Sequence, residues 1–197
     1  MSVKTLIRSS AIVIFTVLGQ SMVAQNNYRP ASSKSTDHSY FKNGTINIIT
    51  SSHQDIAWMD SIGACEKWRD ENIITPVLKL LADNRSFSYT VEDALCLKEY
   101  LERHPDRYDE ILKFTQEGRL EWGATYVQPY ESMYDGEALI RQTYLGRKWL
   151  KETLAGCDFI CAYSPDVPGR ALQMSQILYK SGIKYLHFSR HESGIYR

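Results

Sequence analysis

Ile46-Asn-Ile-Ile-Thr-Ser-Ser-His53-Gln-Asp55-Ile-Ala-Trp58 joins a short β-branched, apolar run to a polar and aromatic segment with nothing between them. The run Ile46–Thr50 predicts a buried strand, and His53, Asp55 and Trp58 follow at the position where such a strand would end. In α/β domains the carboxyl ends of parallel strands are where sites are built, because a rigid sheet holds the loops there. His53 and Asp55 are two apart, so in extended backbone both side chains leave on the same face. An imidazole nitrogen beside a carboxylate oxygen suits a zinc ion, which takes both donors at about 2.0–2.2 Å. Taken alone, the same triplet also fits a surface pair or a simple hydrogen-bonded pair.

Working outward, periodicity gives alternating elements. A helical pattern runs from Ser61 to Ala82, with Ile73, Ile74, Val77, Leu80 and Leu81 on one face and Pro76 predicting a kink or a break. Phe87, Tyr89 and Val91 alternate with polar residues and predict a second strand ending at Glu92-Asp93. Helices are expected from Leu95 to Arg103 and from Tyr108 to Gln116, the second opening after Pro105 and closing at Gly118. Leu120–Val127 is a third strand candidate, weakened by Gly123. The clearest helix spans Gly136–Glu152, with Leu139, Thr143, Gly146 and Leu150 on one face. A strand Asp158–Tyr163, a helix Ala171–Lys180 and a strand Ile183–Phe188 complete the series. Strands alternating with helices imply an α/β fold with a mainly parallel sheet, in which His53, Asp55, Glu92, Asp166 and Arg190 all lie at or just beyond strand ends.

The 197 residues fit one domain or part of a larger one, and 43% hydrophobic content is enough for a core. Basic and acidic residues number 23 each, so no global field favours nucleic acid or an anionic membrane. Lys4 and Arg8 precede the apolar run Ala11–Leu18, with small residues at Ser21 and Ala24. This order predicts a signal peptide over residues 1–25, too short to span a membrane, and hence a secreted or periplasmic product. No cysteine follows the run, so no lipid anchor is expected. Residues 26–44 read as a polar leader, and the domain as residues 45–197. Of the four cysteines, Cys157 and Cys161 have a spacing that zinc could use, but Cys161 sits in an apolar run. Buried free thiols are therefore expected.

Several segments together resemble the retaining α-mannosidases of glycoside hydrolase family 38. Ser52-His-Gln-Asp-Ile-Ala-Trp58 is similar to the family's His-x-Asp-x-x-Trp signature, and Gln116-Glu-Gly-Arg-Leu-Glu-Trp-Gly123 to its Glu-Gly-x-Leu/Ile-Glu-Ile/Trp-x-Gly segment. Leu139-Ile-Arg-Gln-Thr-Tyr-Leu-Gly146 resembles a family helix, and Tyr163-Ser-Pro-Asp166-Val-Pro-Gly169 falls where the family carries its nucleophile. Phe188-Ser-Arg190 matches a downstream arginine element. The resemblance implies an incomplete (β/α)7-type barrel, with one zinc ion held by His53, Asp55 and Asp166. Asp166 would also be the nucleophile, Trp58 a flat wall beneath the sugar, and Arg190 a substrate-site group paired with a nearby carboxylate. Other readings stand for Trp58 (packed in the core) and Arg190 (a surface arginine). Glu92 and Glu131 are expected to be solvated carboxylates rather than supporting groups. Pro168 and Tyr163 depart from the family's Phe and Trp, which puts substrate preference in question.

The implied substrate is a mannose-containing glycan. The fourth zinc ligand and the general acid have no counterpart here; His104, His187 and His191 lack the family context. The chain is thus expected to be the N-terminal part of a longer catalytic domain. Two alternatives remain: a zinc-dependent deacetylase or amide hydrolase with Asp166 as base, and a non-catalytic remnant.

Overall fold

The computed structural model describes residues 10–16 and 45–189. Strand β1 (Ser10–Thr16) lies parallel to β2 (Thr45–Ser51), in register from Ser10 opposite Thr45 to Thr16 opposite Ser51. β2 pairs with β3 (Tyr89–Val91) and β3 with β4 (Leu120–Trp122), again parallel, giving the order β1-β2-β3-β4. β5 (Cys161–Ser164) and β6 (Tyr185–Phe188) form a second parallel pair. The amide of Ala124 donates to Cys161 O at 2.9 Å, so the chain leaving β4 meets β5 edge to edge. All described pairings are parallel, as alternating strands and helices require. β1 overlaps the run Ala11–Leu18 expected to form the core of an export signal; the polar leader over 26–44 is outside the described residues.

The helices follow the apolar periodicity, except that Leu80, expected on the buried face, is exposed and Leu78 is buried instead. α1 (Ile62–Arg69) is capped by Ser61, whose hydroxyl accepts the Ala64 amide. A single π turn, Asp70–Ile74, then leads into α2 (Thr75–Asp83). The break expected near Pro76 is therefore a widened turn just before it: proline has no N–H to carry on the hydrogen-bond ladder, and the irregularity collects on its N-terminal side. α3 (Ala94–Arg103) starts at Asp93, whose carboxylate accepts the Cys96 amide at 3.0 Å. A short 3-10 turn, Pro105–Arg107, opens α4 (Tyr108–Gln116). α5 (Gly136–Thr153) buries Leu139, Thr143, Gly146 and Leu150, the stripe expected of it. α6 (Met174–Lys180) is shorter than the sequence pattern and ends at Gly182, whose φ of 78° closes the helix.

Leu78, Leu81, Leu97, Ile111, Trp122, Leu150, Leu154 and Phe159 form the centre of one apolar core between the sheet and these helices. Two strands are shorter than their sequence pattern. β4 stops at Trp122 because Gly123 lies against β3's exit; a Cβ there would sit 1.9 Å from Glu92 O. β5 begins at Cys161 rather than Asp158, since the Phe159 carbonyl is taken by Arg147 Nε at 2.9 Å. All four cysteines are free thiols; Cys65 and Cys96 are buried, while Cys157 and Cys161 are only half-buried. Among the described residues no helix is long and apolar enough to cross a membrane.

Candidate active site

β2 delivers its chain directly into the loop that carries His53 and Asp55, and β3 delivers Glu92 beside it. Glu92 is 1% exposed, and a single oxygen organises the site. Its Oε2 lies 3.1 Å from His53 Nδ1 and accepts the Gln54 amide at 3.0 Å and Gln128 Nε2 at 2.7 Å. With Nδ1 held on this carboxylate, His53 turns Nε2 toward Asp55 Oδ1, 3.3 Å away. Burial of the ring opposes its charged form. The hydrogen bond that Glu92 accepts and the charges of Glu92, Asp55 and Asp166 outweigh that, so the His53 pKa is raised.

Asp166 follows β5. Among the described residues it is the one non-glycine position with left-handed backbone, at φ 52°, a region Asp tolerates better than most residues. Its amide donates to Ser189 O at 3.1 Å, fixing the turn against the chain beyond β6. The Asp166 charge is the smallest of the influences that raise the His53 pKa, so the residue after β5 lies within electrostatic reach of the loop after β2.

The supporting groups differ from expectation. Glu92 and Glu131 are not solvated carboxylates: both are buried and multiply bonded. Glu131 accepts Arg170 Nη1 and the Ala171 amide, each at 2.9 Å. Trp58 is 73% exposed, which removes the core-packing reading. Arg190 lies outside the described residues. His104 is engaged with Asp70 Oδ2 at 2.7 Å, and His187 packs against the Tyr163 ring, where burial lowers its pKa. Arg69, Gln128 and Arg170 were not anticipated. A signal existed for Arg69, since it falls on the same helical stripe as Cys65 and Ile73. For Gln128 and Arg170, both in loops, periodicity offers none.

Among the described residues no three His, Cys, Asp or Glu side chains form a ready-made metal cluster. The donor chemistry of the first loop nevertheless suits zinc. Two ligands at tetrahedral angles on one zinc stand about 3.3 Å apart, which is the separation of His53 Nε2 and Asp55 Oδ1. A ligating histidine also commonly donates its other ring N–H to a carboxylate, as Nδ1 is placed to do with Glu92.

The chain is 28% identical over 148 residues to a protein from Halalkalibacterium halodurans provisionally named a mannosylglycerate hydrolase, covering 74% of this chain and 16% of that one. It resembles the crystal structure of an alpha-mannosidase from Enterococcus faecalis V583 with a TM-score of 0.65 and 22% identity, over 71% of this chain and 16% of that one. A second Enterococcus faecalis structure, a protein in the glycosyl hydrolase family 38, aligns with a TM-score of 0.61 at 21% identity over the same shares. These two establish a common fold, and the chain spans about one sixth of the length of each of the three relatives. The family pattern described as the glycosyl hydrolases family 38 N-terminal domain matches residues 43–193, from the start of β2 past the end of β6. The chain therefore belongs to glycosyl hydrolase family 38, through that N-terminal domain.

Proposed function

We propose that this chain forms part of a zinc-dependent, retaining α-mannosidase, its parallel strands contributing to a (β/α)7-type barrel and Asp166 serving as nucleophile. The observation that carries this is His53 Nε2 facing Asp55 Oδ1 at 3.3 Å, with Nδ1 anchored on buried Glu92 and Asp166 in the same field. Without metal a proton on Nε2 would bridge this pair, and a zinc ion would take that proton's place. His53, Asp55 and Asp166 would hold the zinc, which as a Lewis acid would polarise sugar hydroxyls and favour an oxocarbenium-like transition state.

The chain's own residues do the rest. Glu92 keeps the proton on His53 Nδ1 and leaves Nε2 as a donor. The left-handed turn at Asp166 presents its carboxylate from a backbone pinned at Ser189 O. That carboxylate would attack the anomeric carbon as the glycosidic C–O bond breaks and the departing oxygen takes a proton from a general acid, leaving a glycosyl-enzyme ester; water would then attack the same carbon, release Asp166 and give net retention. Exposed Trp58 offers an apolar face to a sugar ring. Arg190 is placed by sequence with the substrate-binding groups. Lys4 and Arg8 before an apolar run support export to the periplasm or beyond.

The test is hydrolysis of an aryl α-mannoside by the polypeptide as its gene encodes it. Activity should fall on chelation and return with zinc, and Asp166→Asn should lower kcat by about a thousandfold or more. A fluorinated mannoside should leave an adduct on Asp166 detectable by mass spectrometry. Full activity in Asp166→Asn would remove the nucleophile assignment; release of acetate without an adduct would favour an amide hydrolase. Mannosylglycerate belongs in the substrate panel because of the name borne by the 28% identical relative.

A further inference from the structure

Two arginine–glutamate pairs lie outside the chemistry described so far, each beside one of the two site loops: Arg69 is buried with Glu99, and Arg170 is partly exposed over buried Glu131. Arg69, in α1, is 2% exposed. Its Nη1 donates to Asp55 O at 2.8 Å and to Ile56 O at 2.9 Å, while Nη2 is held by Glu99 of α3. Arg170 does the same after β5. Its Nη1 donates to Glu131 Oε1 at 2.9 Å and Ser164 Oγ at 2.7 Å, and its Nη2 to Ser164 O at 2.6 Å. Glu131, 3% exposed, closes the ring by accepting the Ala171 amide. Ser132 backs the same loop so closely that a Cβ on Gly169 would come within 2.3 Å of its Oγ.

Burying a guanidinium is costly unless its donors are satisfied, and an apolar pair of similar volume would often be more stable. What an apolar pair cannot do is grip backbone carbonyls. Arg69 spans from Glu99 of α3 to two carbonyls of the loop after β2, and Arg170 from Glu131, in the turn before α5, to the carbonyl of Ser164 at the end of β5, just before the turn that carries Asp166. The arrangement suits arginine alone, because lysine's single ammonium cannot bridge two carbonyls and a carboxylate in one plane.

We propose that Arg69 and Arg170 are positioning residues, one for each site loop: Arg69 with Glu99 sets the backbone under Asp55, and Arg170 with Glu131 sets the turn that presents Asp166. The proposal rests on the reading above that these loops share a zinc site, and extends it to what fixes their geometry.

The experiment compares the full chain with Arg69→Lys, Glu99→Gln, Arg170→Lys and Glu131→Gln. Amide hydrogen exchange is followed at residues 53–57 and 165–171, and zinc affinity by calorimetry on the folded proteins. The first pair of variants should speed exchange at least tenfold in 53–57 only, and the second pair in 165–171 only. Each should weaken zinc binding by about tenfold or more. A merely structural role would lower the melting temperature without moving the zinc Kd of the folded protein. Unchanged loop exchange and zinc affinity in folded variants overturns the proposal, as does loss of the whole fold in Arg170→Lys, whose side chain is partly exposed. If Arg69→Lys fails to fold, the isosteric Glu99→Gln decides the first clamp. Absence of zinc uptake by the unmutated chain overturns the metal reading instead, and the exchange result still decides the clamps.

Discussion

At the scale of single residues, the site depends on one carboxylate oxygen. Glu92 Oε2 lies against three nitrogens at once, and its negative charge strengthens each of these contacts beyond what an amide oxygen would give. Glu92→Gln keeps an oxygen acceptor but removes the charge that favours a proton on Nδ1, so the His53 tautomer with its proton on Nε2, facing Asp55, would gain ground. Zinc affinity should then drop by about ten- to a hundredfold in a chelator competition, while the fold persists. An unchanged affinity would separate Glu92 from the metal site. The backbone at Asp166 argues for the choice of replacement there: asparagine shares aspartate's tolerance of left-handed φ, so Asp166→Asn removes the charge without straining the turn, whereas a β-branched residue would do both. Position 53 was readable from the sequence because His-x-Asp at a strand end is a compact local pattern. Glu92 was not, since its role depends on β3 lying beside β2, which no local spacing encodes.

At the scale of elements, the helices were the most legible part. Leu139, Thr143, Gly146 and Leu150 form the buried stripe of α5 because a 3.6-residue repeat is written directly in the chain. The strands were less so: β4 and β5 are cut short by a glycine contact and by an arginine reaching a carbonyl, and both causes are tertiary. Gly146 shows what the helix stripe serves. A Cβ on it would lie 2.4 Å from both Thr125 C and Tyr126 N, so α5 rests backbone to backbone on the segment after β4. Gln142 adds two bonds there, accepting the Tyr126 amide at 2.9 Å through its carbonyl and the Val127 amide at 3.1 Å through its side chain. Gly146→Ala should therefore destabilise by about 1–3 kcal/mol or more through overpacking. Gly63→Ala, on α1 with open space around it, should stabilise by up to about 1 kcal/mol through helix propensity. Thermal melts of the two variants should move in opposite directions; movement together would show that α5 does not depend on the close approach.

At the scale of the whole molecule, two buried acids pull the pH dependence of stability in opposite directions. Burial pushes Asp93 up to about 7, with the Glu92 charge adding to it; the Cys96 amide and Arg69 only partly counter this. Between about pH 4, where the unfolded carboxyl titrates, and about pH 7, the folded state holds a proton that the unfolded state has released. Stability from this group must therefore fall as pH rises through that window, by at most about 1.4 kcal/mol per pH unit. Asp70 has the reverse sign. Burial would raise its pKa, but hydrogen bonds from His104, Thr75 and Arg103 outweigh burial and lower it. Its contribution is present above the ordinary carboxylate range and lost as pH falls through the folded value. Together they predict, for the metal-free chain, a stability maximum near the acidic end of the range, declining toward neutrality. Asp93→Asn tests the larger of the two, because asparagine still caps α3 by accepting the Cys96 amide and carries no charge to bury. The variant should melt at least as high as the parent at pH 7.5 and show a flatter profile from pH 4.5 upward. If the parent's slope survives the substitution, the decline arises elsewhere in the fold, and the Asp93 carboxyl is ionised in the native state at lower pH than its burial implies.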